Sequence, residues 1–138
     1  MPPPVSEPQT VTPCRALVVD DNQDAADTLT MILQLLGHAT RCISNPHDVV
    51  EAVDAFAPDI VFLDIGMPGL RGYDVARRLR SHASNEKLTL VALTGWGQPE
   101  DRRRTAETGF DHHLVKPAEL AAIQRICAGL ASRRGGPG

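Results

Sequence analysis

Four short apolar runs each end in a residue able to do chemistry, and this pattern constrains the fold more than any other feature of the chain. Ile60-Val61-Phe62-Leu63 ends in Asp64, and Leu17-Val18-Val19 ends in Asp20-Asp21. The run from Leu88 to Leu93 ends in Thr94, and Leu114-Val115 ends in Lys116-Pro117. Runs this short, rich in β-branched and aromatic residues, read as strands buried on both faces, as in a parallel sheet covered by helices. Polar residues at the C-terminal tips of such strands lie where open α/β sheets place their ligands. One sheet edge is therefore expected to gather three carboxylates, a hydroxyl and an ammonium.

Between these runs the periodicity changes to that of helices. Leu29, Ile32, Leu33 and Leu36 form an i, i+3, i+4, i+7 stripe, with Asn22 as its N-cap and Gly37 as its stop. Asn45-Pro46 starts a second helix, whose buried face is Val49, Val50, Val53 and Phe56, and Pro58 ends it. Tyr73, Val75, Ala76 and Leu79 mark a third helix. Leu120, Ile123, Ile126 and Leu130 mark the last. A polar stretch over 99–108, stopped by Gly109, reads as a fourth helix between them, with the weakest apolar stripe and so the loosest packing. The strands are expected at 15–20, 38–43, 59–64, 88–93 and 111–115, the second at a sheet edge because of its mixed polarity. The alternation predicts a (βα)5, flavodoxin-like, doubly wound α/β domain with a five-stranded parallel sheet in the order 2-1-3-4-5. The folded body spans 14–131. A disordered Pro-rich tail is expected over 1–13 and a flexible tail over 132–138.

Composition narrows the function. The 138 residues suit one domain, with 42% hydrophobic and 22% charged residues. The net charge of −3 gives no electrostatic case for nucleic acid or an acidic membrane surface. Arg102-Arg103-Arg104 reads as a solvated helix face. No stretch has transmembrane length and no signal peptide is visible, so a cytoplasmic protein without membrane insertion is expected. Cys14, Cys42 and Cys127 are odd in number and far apart, without Cys/His metal spacing. They are expected to be three reduced thiols, and no zinc site is foreseen.

Two adjacent carboxylates opposite a third call for a cation, because like charges a few ångström apart repel. Mg²⁺ prefers oxygen ligands and is commonly held by one or two carboxylates plus a phosphoryl group. Asp21 and Asp64 suit direct ligation, Asp20 ligation through water, and the backbone carbonyl of Gly66 completes the set. With Lys116 and Thr94 the edge becomes an oxyanion receptor, which an incoming phosphoryl group requires. Asp64, alone at its strand tip, is the best nucleophile and would yield an acyl phosphate.

These elements, Val19-Asp20-Asp21-Asn22, Leu63-Asp64 with Met67-Pro68 and Gly72, Ala92-Leu93-Thr94-Gly95 and Leu114-Val115-Lys116-Pro117, occur in order and each ends a strand. Over 14–131 the chain resembles a receiver domain of two-component response regulators. The segment 109–117 resembles receivers of hybrid histidine kinases. The resemblance implies Asp64 as phosphoacceptor, Asp20 and Asp21 as the acidic pair, Thr94 as switch hydroxyl, Lys116 as phosphoryl contact and a cis Lys116-Pro117 peptide. It implies phosphorelay signalling with Mg²⁺, a histidine kinase or histidine phosphotransfer protein as partner, no DNA-binding output, and a monomer or weak dimer. Such a domain catalyses only its own phosphorylation and dephosphorylation. His113 replaces the Tyr or Phe usual three residues before the lysine, which makes His113 the candidate switch side chain. Trp96 flanks the site as the only tryptophan.

Three other readings are weaker. An aspartate-nucleophile phosphatase wants Asp-x-Asp after its first strand, and here Asp20-Asp21-Asn22 stands there. A flavin-type module needs a Gly- or Ser/Thr-rich phosphate loop, where Asp20, Asp21 and Asp24 would repel phosphate. A degenerate receiver acting only through protein contacts is the remaining alternative, although every chemical position is filled.

Overall fold

A computed structural model describes residues 13–65, 72–81, 87–95, 109–116 and 118–134. Gly66, Met67-Pro68, Trp96, the expected helix over 99–108 with Arg102-Arg103-Arg104, and Pro117 lie outside the described residues, as do 1–12 and 135–138. Five strands, β1 (Arg15–Val19), β2 (Ala39–Ile43), β3 (Ile60–Asp64), β4 (Thr89–Thr94) and β5 (His112–Val115), form one parallel sheet in the order β2-β1-β3-β4-β5. The helices are α1 (Gln23–Leu35), α2 (Val49–Phe56), α3 (Gly72–Arg80) and α4 (Leu120–Arg134). The expected strand order and the edge position of β2 are both present. One boundary differs: α4 continues to Arg134, into the segment expected to be a flexible tail.

The apolar runs divide by alternation, because successive strand side chains point to opposite faces. Leu17, Val19, Val61, Leu63, Leu90 and Ala92 face one way, against Val53 and Phe56 of α2 and Val75 and Leu79 of α3. Ala16, Val18, Ile60, Phe62, Val91 and Leu93 face the other, against Leu29 and Leu33 of α1 and Ile123 of α4. Both faces of β3 and β4 are thus covered, which is why Ile60–Leu63 and Leu90–Leu93 are unbroken apolar runs.

The connections follow local chemistry. Asn22 Oδ1 accepts from Ala25 N–H at 3.1 Å and caps α1. Its far end closes as a Schellman motif: Gly37 has φ +96°, Gly37 N–H donates to Gln34 O at 2.9 Å, and His38 N–H donates to Leu33 O at 3.1 Å. Asn45 Oδ1 accepts from His47 N–H at 2.9 Å, and Pro46–Asp48 form a tight 3₁₀ turn before α2 begins at Val49.

Arg80 at the end of α3 fastens the weaker side of the sheet. Its guanidinium donates to Leu88 O at 2.6 Å, to Gly109 O at 2.9 Å and to Asp111 Oδ2 at 2.7 Å. Asp111 Oδ2 also accepts from Leu90 N–H at 2.8 Å. Gly109 has φ +102°, and a Cβ there would lie 2.9 Å from the Arg80 side chain, so a larger residue would strain the backbone and force that side chain to shift. Truncation of Arg80 would take their donor from the carbonyls of Leu88 and Gly109 and the ion pair from Asp111, at about 1–3 kcal/mol. The exposed Arg77–Asp74 pair, at 3.3 Å, is of the class whose loss costs under about 1 kcal/mol. Urea denaturation should therefore show Arg80→Ala destabilising by about 1–3 kcal/mol and Asp74→Ala by far less. Equal losses would remove the clasp role of Arg80.

Candidate functional site

Parallel strands bring their C-terminal ends to one edge, and the strand order sets β1, β3 and β4 side by side there. Asp20 follows β1, Asp64 is the last residue of β3, Thr94 the last of β4, and Lys116 follows β5. Asp20 is 2% exposed and Thr94 5%. Asp64 is buried, Lys116 half-buried and Asp21 exposed. The five residues expected at the edge are brought together as the sequence indicated.

The centre of the arrangement is Lys116. Its Nζ lies 2.7 Å from Asp20 Oδ2 and 3.0 Å from Asp64 Oδ2, so one ammonium bridges two buried carboxylates. Its backbone N–H donates to Thr94 O at 2.7 Å, which locks the start of the lysine loop to the tip of β4. Asp20 is further held by its backbone, whose N–H donates to Ile43 O at 3.1 Å, and by Asn22 N–H, which donates to Asp20 Oδ1 at 2.9 Å. The sequence marked Asn22 as a helix cap and as the end of the Asp20-Asp21-Asn22 motif, without a hydrogen bond to Asp20. Its N–H role arises because the N-terminal end of α1 turns back toward the carboxylate.

Burial pushes the Asp20 carboxyl above its ordinary value. The Lys116 and Asn22 hydrogen bonds pull down without overcoming it, and the neighbouring Asp64 adds to the upward push. Burial alone would lower the Lys116 ammonium, but the hydrogen bonds to Asp20 and Asp64 outweigh it and the net shift is upward. Lys116 therefore stays charged, while Asp20 resists ionisation.

Oxygen atoms of Asp20, Asp21 and Asp64 lie within 4.8 Å of one another. An all-carboxylate set with one exposed member suits a hard divalent cation that retains several waters, as Mg²⁺ does. A cleft of about 400 Å³ opens beside this group, lined by Asp20, Asn22, Asp24, Thr28, Leu93 and Lys116. His113 lies on the edge strand β5, half-buried and in register with Ala92. It is three residues before Lys116 and belongs to the strand that presents the lysine.

The chain matches the family model of the response regulator receiver domain over residues 16–128. Among curated proteins it is 36% identical over 103 residues to the DNA-binding response regulator MtrA of Mycolicibacterium paratuberculosis. That match covers 75% of this chain and 44% of MtrA, so the chain spans less than half of that relative. Among solved structures it is similar to the receiver domain of a signal transduction histidine kinase from Syntrophus aciditrophicus, with a TM-score of 0.79 and 26% identity. This likeness covers 91% of the chain and 95% of that structure. The receiver domain of a sensor histidine kinase from Pseudomonas aeruginosa, solved with a magnesium ion coordinated in its active site cleft, shares the fold at a TM-score of 0.79 and 24% identity. There the coverage is 88% of this chain and 99% of the other.

The raised carboxyl of Asp20 has a measurable consequence. A folded-state pKa above the unfolded value, 3.8, means that folding is favoured by protonation. That stability is complete below the unfolded value and is lost as pH rises through the folded one. In metal-free protein with EDTA, wild type should lose stability relative to Asp20→Asn as pH is raised from that region to neutrality. A pH-independent difference between the two in thermal unfolding would refute the assignment.

Proposed function

The chain belongs to the response regulator receiver domain family, and from this premise we propose that it is a phosphoacceptor switch of a two-component or phosphorelay pathway. In this reading Asp64 takes a phosphoryl group from a phosphohistidine on a histidine kinase or a histidine phosphotransfer protein. One observation carries the reading: Lys116 spans Asp20 and Asp64 at the strand tips, with Asp21 close by on the open side.

A carboxylate oxygen of Asp64 attacks phosphorus in line with the departing imidazole nitrogen. The O–P bond forms as the N–P bond breaks, and an acyl phosphate results. The buried base of β3 fixes the nucleophile, so its attack geometry is set by the sheet rather than by a loop. Lys116 first screens Asp64 from Asp20. As charge moves onto the phosphoryl oxygens it follows that charge, since its half-buried stem lets the ammonium shift by small rotations. Thr94, at the neighbouring strand tip, offers a hydroxyl to the same oxygens. Asp20, Asp21 and Asp64 would hold the divalent ion. Bound Mg²⁺ supplies the positive charge that allows three carboxylates and a phosphoryl group to share one cleft. The domain turns over no diffusible substrate in this reading and catalyses only its own phosphorylation and dephosphorylation. The DNA-binding activity in the name of MtrA belongs to a protein more than twice the matched length and is not carried to this chain.

Incubation with acetyl phosphate and Mg²⁺ should add one phosphoryl group, seen by intact-mass spectrometry. The addition should disappear with EDTA and in Asp64→Asn. Undiminished labelling of Asp64→Asn would exclude the nucleophile.

His113 is proposed as the side chain that responds to this event, because it lies on β5, the strand that leads into Lys116, whose charge partner changes. In NMR spectra the His113 ring signals should move when beryllofluoride, a phosphoryl mimic, is added. His113→Tyr should alter the size of the accompanying shifts along β5. Ring signals that stay in place while Thr94 responds would leave His113 as a strand residue only.

A further inference from the structure

The opposite edge of the sheet holds a second cluster of potential ligands, which the spacing along the chain concealed. Cys14 stands just before β1 and His38 just before β2, so the pairing of those strands sets them side by side. Cys127 reaches the same place from α4, about two turns into the helix. Cys14 is 5% exposed, His38 4% and Cys127 3%. The two sulfur atoms and one imidazole nitrogen lie within 4.8 Å of one another. Cys14 Sγ is 3.3 Å from His38 Nδ1.

We propose that Cys14, His38 and Cys127 form a metal site, separate from the acidic cleft, which takes a thiophilic closed-shell cation of the Zn²⁺ type through two thiolates and one imidazole. The donor set excludes the ion of the acidic edge: sulfur and nitrogen select soft or borderline metals, whereas Mg²⁺ takes oxygen. Charge selects a divalent ion, because two thiolates and a neutral imidazole leave a neutral centre, the form that burial tolerates. Sulfur at about 2.3 Å and nitrogen at about 2.0 Å from a tetrahedral ion lie roughly 3.6–3.8 Å from each other. The present separations require movements of only an ångström or less to reach this.

The imidazole is already in the tautomer a metal requires. The Cys14 backbone N–H donates to His38 Nδ1 at 3.1 Å, so Nδ1 carries its lone pair toward the cluster and the ring proton sits on Nε2. That Nε2 is buried and has no hydrogen-bond partner among the described residues, so nothing else selects the tautomer. On binding, the ion takes the Nδ1 lone pair, the two thiol protons pass to solvent, and the Cys14 N–H turns to a thiolate sulfur. Burial pushes the His38 imidazolium down, which keeps the ring neutral. The Cys14 hydrogen bond holds the Cys127 thiol below its ordinary value against the opposing effect of burial. Cys42, whose thiol burial pushes up, lies outside the cluster and serves as an internal control.

The test uses the full, reduced chain with excess Mg²⁺ to occupy the acidic cleft. Titration with Co²⁺ should produce a thiolate-to-cobalt charge-transfer band that saturates at one equivalent and is bleached by Zn²⁺. Cys14→Ser and Cys127→Ser should each weaken Zn²⁺ binding by at least about tenfold, and Cys42→Ser should leave it unchanged. Zn²⁺ should also raise the melting temperature of the wild type. If a cysteine variant fails to fold, the wild-type cobalt spectrum and zinc-induced melting shift decide. Absence of the charge-transfer band, binding that survives loss of either cysteine, or a Cys14–Cys127 disulfide formed in place of the metal complex would each overturn the proposal.

Discussion

Two carboxylates buried at adjacent strand tips repel one another, and the ammonium of Lys116 allows them to coexist. Asp20 and Asp64 come from β1 and β3, which pair directly, so the sheet itself enforces their proximity. Neither can retreat, because the residues that lead into them are fully buried on both sides. The balancing charge arrives from β5, two strands beyond β3. It reaches across β4, to whose tip its backbone is tied through Thr94 O. A site with this electrostatic design is poised to accept positive charge from a cation and to release its lysine toward an anion.

The two edges of the sheet are chemically opposed for the same topological reason. In a parallel sheet every strand starts at one edge and ends at the other, so residues before the strands meet each other and residues after them meet each other. Asp20, Asp64, Thr94 and Lys116 follow their strands or end them. Cys14 and His38 precede theirs. Helix α4 runs back antiparallel to the strands. It begins near Lys116 and carries Cys127 toward the far edge, about 11 Å along the helix axis. One helix is thus in contact with the surroundings of both groups of residues, and Ile123 anchors it to the sheet between them.

How legible each feature was in the sequence depended on whether it is written locally. The central strands were plain because burial on both faces demands an uninterrupted apolar run, and Gly37 and Asn22 marked α1 through caps that act within a few residues. The acidic edge was readable because each of its members ends such a run. The bridging geometry of Lys116 was not, since it depends on which strands are neighbours. The Arg80 clasp and the Cys14–His38–Cys127 cluster were illegible for a stronger reason. Their partners are far apart along the chain and carry no spacing motif, so only the strand order brings them together. The far end of α4 carries no local mark: Ser132 and Arg133 look like tail residues by composition, yet the helix continues through them to Arg134, since a helix already under way propagates at little cost.

The distribution of burial across the sheet has a consequence for mechanism. β3, which carries Asp64, is buried at every position, whereas β5, which presents Lys116, has half-buried His113 and Leu114 between exposed His112 and Val115 and lies at an edge. Displacing Asp64 would expose Val61, Phe62 and Leu63 together. Displacing the lysine disturbs only half-buried residues such as His113 and Leu114. Local opening is cheapest where few apolar groups are buried. Asp64 is therefore held by a fully buried strand and its counter-charge by a strand with no buried residue. In the proposed reading, a change of charge at Asp64 would be accommodated mainly by movement of Lys116 and β5, and the signal would leave the site along that edge strand.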